Sequence, residues 1–225
     1  VKSEGNNAPE GGFMFVSPPD SSTVSIIINN FTLHTGGDIA LLSYYHPLTS
    51  QFTLSIDHSH FSVEPEPNSG LIYMSQMGSG QVTVTVRNSE FSNFISTNGS
   101  ILSIIGQDNS TSTLTIESSN FTNNAATTNG GVFYIDVGDN CTVAMSIQNH
   151  NIFTNNSATN GGVGYLNTAE NAVHLSLSWE SNTFDSNVFE YHMYRPSENM
   201  RVNTIVNSDK LLFQPVTKLF FIFIR

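Results

Sequence analysis

Charge is the scarcest property of this sequence. Of 225 residues only 11% are Asp, Glu, Lys or Arg, against roughly 25% in an ordinary soluble domain. Basic residues are rarer still, with 7 Lys and Arg against 18 Asp and Glu, a net charge of −11. That balance argues against nucleic acid and anionic membrane surfaces as partners, since both are bound through basic patches. A single cysteine, Cys141, permits no intrachain disulfide, and no spaced Cys/His pattern of a zinc site surrounds it. Stability has to come from a packed core. Long hydrophobic runs are missing too: the one sustained apolar stretch is Leu219 to Ile224, far short of the ~20 residues a membrane-spanning helix needs. It reads as a buried cap strand, because β-branched and aromatic residues suit strands, with the first residues of a spanning segment as the alternative. A chain that opens on Val1 in a polar stretch reads as a mature form or a piece of a longer protein.

What is abundant is small, polar and uncharged: 30 Ser, 21 Thr and 26 Asn make up about a third of the chain. These residues bond to their own backbone in non-helical conformations, and Thr loses χ1 freedom in a helix, so helical architecture is nearly excluded. Disorder is disfavoured as well, because 38% hydrophobic residues with 16 Phe is ample core material.

One residue type exposes an internal repeat. Phe31, Phe61, Phe91, Phe121, Phe153 and Phe184 recur at intervals of 30, 30, 30, 32 and 31. A glycine precedes each: Gly12, Gly37, Gly70, Gly99, Gly131 and Gly162. Counting back from Phe, the seventh residue is Val24, Leu54, Val84, Leu114, then Met145 after a small shift, then Leu177; the fifth is Ile26, Ile56, Val86, Ile116, Ile147 and Trp179. Polar residues alternate with them, the period-2 signature of a half-buried strand. A second apolar segment follows each glycine. Each repeat thus predicts two strands and a polar link after Phe.

Thirty residues with several strands and no helix signal fit one coil of a single-stranded, right-handed parallel β-helix, an all-β solenoid in which equivalent residues stack. Six rungs at ~4.8 Å make a rod of about 25 to 30 Å. The six Phe become a structural ladder, and Asn and Gly pairs serve the turns. Asp57, Arg87 and Glu117 all stand four residues before their Phe and are expected to form a charge ladder, as a solvated ion pair contributing ~0 to 1 kcal/mol. The predicted organisation is an irregular segment over 1–11, repeats over 12–187, and a C-terminal cap or start of a truncated module over 188–225. That last region gathers Arg195, Arg201, Lys210, Lys218 and Arg225, and a stacked rod needs its open rung covered.

Phe121-Thr-Asn-Asn124, Phe153-Thr-Asn-Asn156 and Phe184-Asp-Ser-Asn187 share an F-x-x-N pattern, and Gly130-Gly-Val-Phe133 and Gly161-Gly-Val-Gly164 resemble the G-G-A-[ILV] pattern that accompanies it. Together they resemble the polymorphic outer membrane protein repeat of bacterial autotransporter adhesins and of large surface or secreted proteins of unicellular eukaryotes. Upstream, Phe31-Thr-Leu-His34, Phe61-Ser-Val-Glu64 and Phe91-Ser-Asn-Phe94 lack the final Asn, and no repeat has the Ala. The resemblance implies a right-handed parallel β-helix at the cell surface or outside the cell, adhesive rather than catalytic; the expected partners are other domains of a longer chain and a cell-surface ligand, or a carbohydrate stacked on the surface tyrosines. It brings no catalytic residues and no cofactor.

The enzymatic alternative is a pectate-lyase-like enzyme or polysaccharide hydrolase on the same fold. A hydrolase needs paired carboxylates across the scissile bond, and a lyase needs a base, commonly with Ca²⁺ on several carboxylates. The candidates are Asp57, His58 and Arg87, the first two in the string Ile56-Asp57-His58-Ser59-His60. His58 and His60 are also the weak metal candidates, since alternate residues of a continuing strand point to one side. Sequons begin at Asn30, Asn98, Asn109, Asn120, Asn140 and Asn155, but 26 Asn and 51 Ser or Thr in 225 residues give about six by chance, so their number carries no evidence of glycosylation. Finally, Tyr44, Tyr45, Tyr73, Tyr134 and Tyr165 follow the glycine column, an incomplete aromatic stripe if that position faces outward.

Overall fold

The computed structural model describes residues 14–35, 42–46, 49–64, 70–168, 174–189, 202–207 and 218–220. Among these residues there is no helix; strands stack in parallel into a right-handed β-solenoid whose sheets run the length of the stack. Sheet I holds Thr23–Asn29, Gln51–Asp57, Gln81–Arg87, Thr111–Glu117, Thr142–Gln148, His174–Glu180 and Val202–Asn207. Sheet II holds the short strands Thr32–Thr35, His60–Val63, Glu90–Ser92, Asn120–Thr122, Ile152–Thr154 and Thr183–Asp185. Among the described residues, sheet III holds Ile95–Asn98, Ala125–Asn129, Ser157–Asn160 and Val188–Phe189. Sheet IV closes each coil with Met14–Val16, Leu42–His46, Ile72–Gln76, Leu102–Gly106, Phe133–Val137 and Gly164–Thr168, and ends on Lys218–Phe220, which pairs antiparallel.

Alternation explains why each sheet has one wet face. In Gln81–Arg87 the residues Val82, Val84 and Val86 are buried while Gln81, Thr83, Thr85 and Arg87 point out. The same holds in the neighbouring strands, so the inward columns fuse into one core of Val, Leu, Ile, Met and Phe. Between sheets I and II the chain bends sharply through a left-handed residue at every rung: Asn30, His58, Asn88, Ser118, Asn149 with His150, and Ser181, at φ between 46° and 66°. Phe therefore sits in a strand of its own. Among the described residues a coil holds up to four strands, where period-2 patterning predicted two, because a very short strand after a bend cannot show a period.

The first turn corrects the predicted alignment. Thr23 pairs with Gln51 and not with Thr53, so Ile26 lies beside Leu54 and Ile28 beside Ile56. Leu33, and not Phe31, is the backbone partner of Phe61. Phe31 is therefore not an equivalent member of the ladder: its ring reaches Phe61 at 5.7 Å but tilted by 41°. The cause is that a slip of two residues keeps every side chain on its own face, whereas a slip of one reverses them. From Phe61 onward the ladder is regular, with Phe61, Phe91, Phe121, Phe153 and Phe184 stacked at 4.9–5.2 Å and within 7° of parallel. The wider interval between Phe121 and Phe153 has a local cause: one extra residue enters at Asn149–His150, both left-handed, and another at the bulge between Ala126 and Asn129.

The glycine markers are likewise two columns. Gly99, Gly130 and Gly161 are the left-handed ones, at φ 55°, 62° and 65°. Gly131 and Gly162 form a second column one step later, with Ser100 taking that place on the rung before. Gly12, Gly37 and the irregular segment 1–11 lie outside the described residues. At the other end stacking continues past 187, with Val188–Phe189 on sheet III and Val202–Asn207 on sheet I. Leu219 is part of the antiparallel strand on sheet IV, beside Leu166, and the rest of that apolar run, from 221, lies outside the described residues.

Candidate functional site

Inside the stack, polar side chains form ladders of their own, which the sequence reading did not single out. At the bend between sheets I and II, Ser59, Ser89, Ser119, Asn151 and Asn182 occupy one column. The amides of Phe31, Ser59 and Ser89 donate to the hydroxyls of Ser59, Ser89 and Ser119 at 3.1–3.2 Å. The Ser119 amide then donates to Asn151 Oδ1 at 2.9 Å, and Asn151 Nδ2 reaches back to the Ile116 carbonyl at 3.1 Å. A second ladder carries the terminal Asn of F-x-x-N. Asn156 Oδ1 accepts from the Asn124 amide at 3.0 Å, and its Nδ2 donates to the Phe121 carbonyl at 2.9 Å and to Asn187 Oδ1 at 2.9 Å. Asn124 and Asn156 are fully buried. They act between rungs, not as turn residues; Asn123 and Asn155 are the left-handed pair. Where Phe94 replaces the Asn, a buried ring ends the column. The lone Cys141 is buried at the corner between sheets IV and I, where its Sγ accepts from the Ser110 hydroxyl at 3.3 Å; it stands where other rungs put Ser.

The predicted chemical residues gather on the outer rim of the sheet I–II bend. Asp57, Arg87 and Glu117 are in register on adjacent rungs. Arg87 Nε bonds to Glu117 Oε2 at 2.8 Å, with Gln148 Nε2 on the other carboxylate oxygen at 3.2 Å. Asp57 turns instead to Asn88 Nδ2 at 3.0 Å and to His58 Nδ1 at 3.0 Å. The hydrogen bond from Asn88, then those from His58, hold the Asp57 carboxyl below its ordinary value. Those from Gln148 and Arg87 do the same for Glu117. Both groups are thus anions at neutral pH and have no proton to give, whereas glycoside hydrolysis needs one carboxylic acid as donor.

His58 and His60 do not share a side as a continuing strand would require. The strand ends at Asp57, His58 is left-handed, and His60 Nδ1 goes to Glu90 Oε2 at 2.9 Å on the next rung. Among the described residues no three His, Cys, Asp or Glu side chains converge as metal ligands, which bears equally on the Ca²⁺ of the lyase alternative. Exposure keeps these pairs weak. Arg87 is 50% exposed, so an Arg87→Ala, Glu117→Ala double-mutant cycle is expected to return less than ~1 kcal/mol of coupling. Because the folded-state value of Glu117 is depressed, its stabilisation is present above the ordinary carboxylate range and is lost as pH falls through the folded value. Urea titrations from pH 6 downward should show a shallower loss in Glu117→Gln than in the wild type.

The tyrosines divide. Tyr44 points inward, fully buried against Phe52 with ring centroids 4.1 Å apart, and burial pushes its hydroxyl up to about 12. Tyr73, Tyr134 and Tyr165 share one outward column of sheet IV, with Ser103 between the first two. Tyr45 bridges to it, its ring 5.6 Å from Tyr73 and 5.7 Å from Phe15. Tyr134 and Tyr165 stack at 5.9 Å. Burial raises the Tyr73 hydroxyl, and burial together with Asp136, 2.9 Å from the Tyr134 hydroxyl, raises that of Tyr134. The face therefore presents Phe15 and Tyr45, the most exposed at 49% and 38%, with the half-buried rings of Tyr73 and Tyr134 beside them, while Tyr165 is buried.

No family model, curated protein or solved structure matches the chain.

Proposed function

We propose that the chain is a β-helix module of a larger cell-surface or secreted protein, of the polymorphic outer membrane protein repeat type, and that it works by binding carbohydrate and not by turnover. The observation that carries this reading is the outward aromatic line on sheet IV, from Phe15 through Tyr45 and Tyr73 to Tyr134. Aromatic edges with phenol oxygens at their tips suit a sugar chain, offering an apolar wall and hydrogen-bond acceptors together. The repeat spaces them along the rod, as an extended polymer requires. Two details support the family reading: the motif Asn residues form the internal ladder, and the paired glycines sit at the sheet III–IV corner.

Binding to a panel of immobilised polysaccharides tests the proposal. The double variant Tyr73→Ala, Tyr134→Ala is expected to weaken capture at least tenfold while leaving the melting temperature within a few degrees. Turnover of a polysaccharide that disappears in Asp57→Ala or Arg87→Ala would replace this reading with the enzymatic one. A signal peptide, membrane span or outer-membrane barrel elsewhere in the full-length reading frame is the expected finding on localisation.

A further inference from the structure

Sheet I presents a different surface. Its outward positions in three consecutive rungs are Thr53 and Ser55, Thr83 and Thr85, Thr113 and Thr115, paired in register as Thr53–Thr83–Thr113 and Ser55–Thr85–Thr115. Thr53 is exposed and the other five half-exposed. Among the described residues, none of these six hydroxyls bonds to another protein group. The hydroxyls of Ser59, Ser89 and Ser119, by contrast, all donate internally. The patch carries no charge; the Asp57–Arg87–Glu117 column runs along one border and Gln51, Gln81 and Thr111 along the other.

Parallel stacking fixes the spacing of this array. Neighbouring strands stand ~4.8 Å apart, and outward residues recur every ~6.7 Å along a strand. Tetrahedral water with oxygens ~2.75 Å apart repeats every ~4.5 Å in the basal plane of ice and every ~7.3 Å along its axis, values that follow from the tetrahedron alone. The mismatch is about 0.3 Å per rung, hence about 0.6 Å over three rungs, and about 0.6 Å across a pair, so with the patch centred each hydroxyl stands within about 0.4 Å of a lattice position, less than the spread of ordinary hydrogen-bond lengths. Threonine makes the array stiff, because its branched Cβ restricts χ1, and its methyl covers the strand between hydroxyls. A neutral face complements a neutral lattice, since no ion orients the adjoining water away from it.

We infer that the outer face of sheet I binds ice, through the two columns of hydroxyls and methyls formed by these residues. Ile27 ends one column on one side and Ala144 the other column on the opposite side, with Ser25 and Ser146 beside them, so the complete two-column site is small. It retards recrystallisation more than it depresses the freezing point.

The test is partition of the fluorescently labelled chain into slowly grown ice, alongside the grain size of a frozen, annealed sucrose solution. The wild type is expected to enter ice at least fivefold above an inert protein of similar size. Thr83→Lys and Thr85→Lys should each fall to that background, and Thr83→Ser should be intermediate. Glu90→Lys, on sheet II, controls for an added cation, and circular dichroism confirms that each variant is folded. Exclusion of the folded wild type from ice, or unchanged partition of folded Thr83→Lys, would overturn the inference. So would self-association or polysaccharide binding through this face without ice binding. The tyrosine face is separate, so either reading can fail alone.

Discussion

Asn156→Leu is expected to destabilise the stack by about 3 kcal/mol or more, although the two side chains are close in size, because each buried polar group left unpaired costs roughly 1 to 3 kcal/mol. The loss leaves the Asn124 amide, the Phe121 carbonyl and Asn187 Oδ1 each short of a partner. Leucine gains little apolar burial in return, because Asn156 is already fully buried and the two side chains are close in size. Urea denaturation reads the change as a shift in midpoint at constant slope. The replacement Asn124→Phe is the informative companion and is expected to cost less, since Phe94 fills the equivalent place one rung earlier. A loss below ~1 kcal/mol in Asn156→Leu, no more than a typical exchange of one hydrogen bond, would mean that the ladder is ornamental and that ring stacking alone holds the rungs together.

Gly131→Ala is expected to be as severe for a different reason. A Cβ there would collide with the Gly162 carbonyl oxygen and stand 2.7 Å from that of Ser157, both backbone atoms. Neither can swing away as a side chain would, so the two rungs must separate. A loss above ~4 kcal/mol, or failure to accumulate as folded protein, is the expected outcome. Gly138→Ala is the control: the added methyl meets nothing closer than 3.7 Å, and no left-handed φ is required. It should be neutral, or stabilise by ~0.4 to 1 kcal/mol through the unfolded chain. If both variants behave alike, the close approach of rungs at the sheet III–IV corner is wrong.

The coil is legible in the sequence because stacking forces the chain to repeat whatever one rung needs. The Phe column and the inward Val, Leu and Ile columns are read from the text, and the Asp57, Arg87, Glu117 register follows from equal spacing. Three things escape for physical reasons. The first turn is two residues short, invisible to an alternating pattern because even slips conserve faces. Sheets II and III are made of strands too brief to display a period. The buried Ser and Asn ladders look like turn residues, since in one dimension Asn at a bend and Asn between bends are the same letter. The signal is nevertheless present: Ser59, Ser89 and Ser119 recur once per coil, two places before each Phe, a position a solvent-facing turn would leave free to vary.

The change from Ser to Asn along that column gives the rod a direction. Each Ser hydroxyl donates to a carbonyl two residues earlier in its own bend, as Ser89 does to Arg87 at 2.6 Å. Each also accepts one amide from the rung before; Asn151 keeps both kinds of contact, to Gln148 and the Ser119 amide, and adds bonds to Ile116 of the rung before and to Asn182 of the rung after, the latter at 2.9 Å. Cohesion between neighbours is thus greater in the half containing residues 120–187 than in the half before it. In a quasi-one-dimensional stack, assembly begins where nearest-neighbour terms are strongest and spreads outward. The later-numbered half should therefore form first and exchange its amides last, and a pull on the two ends should peel coils away beginning from the amino-terminal side.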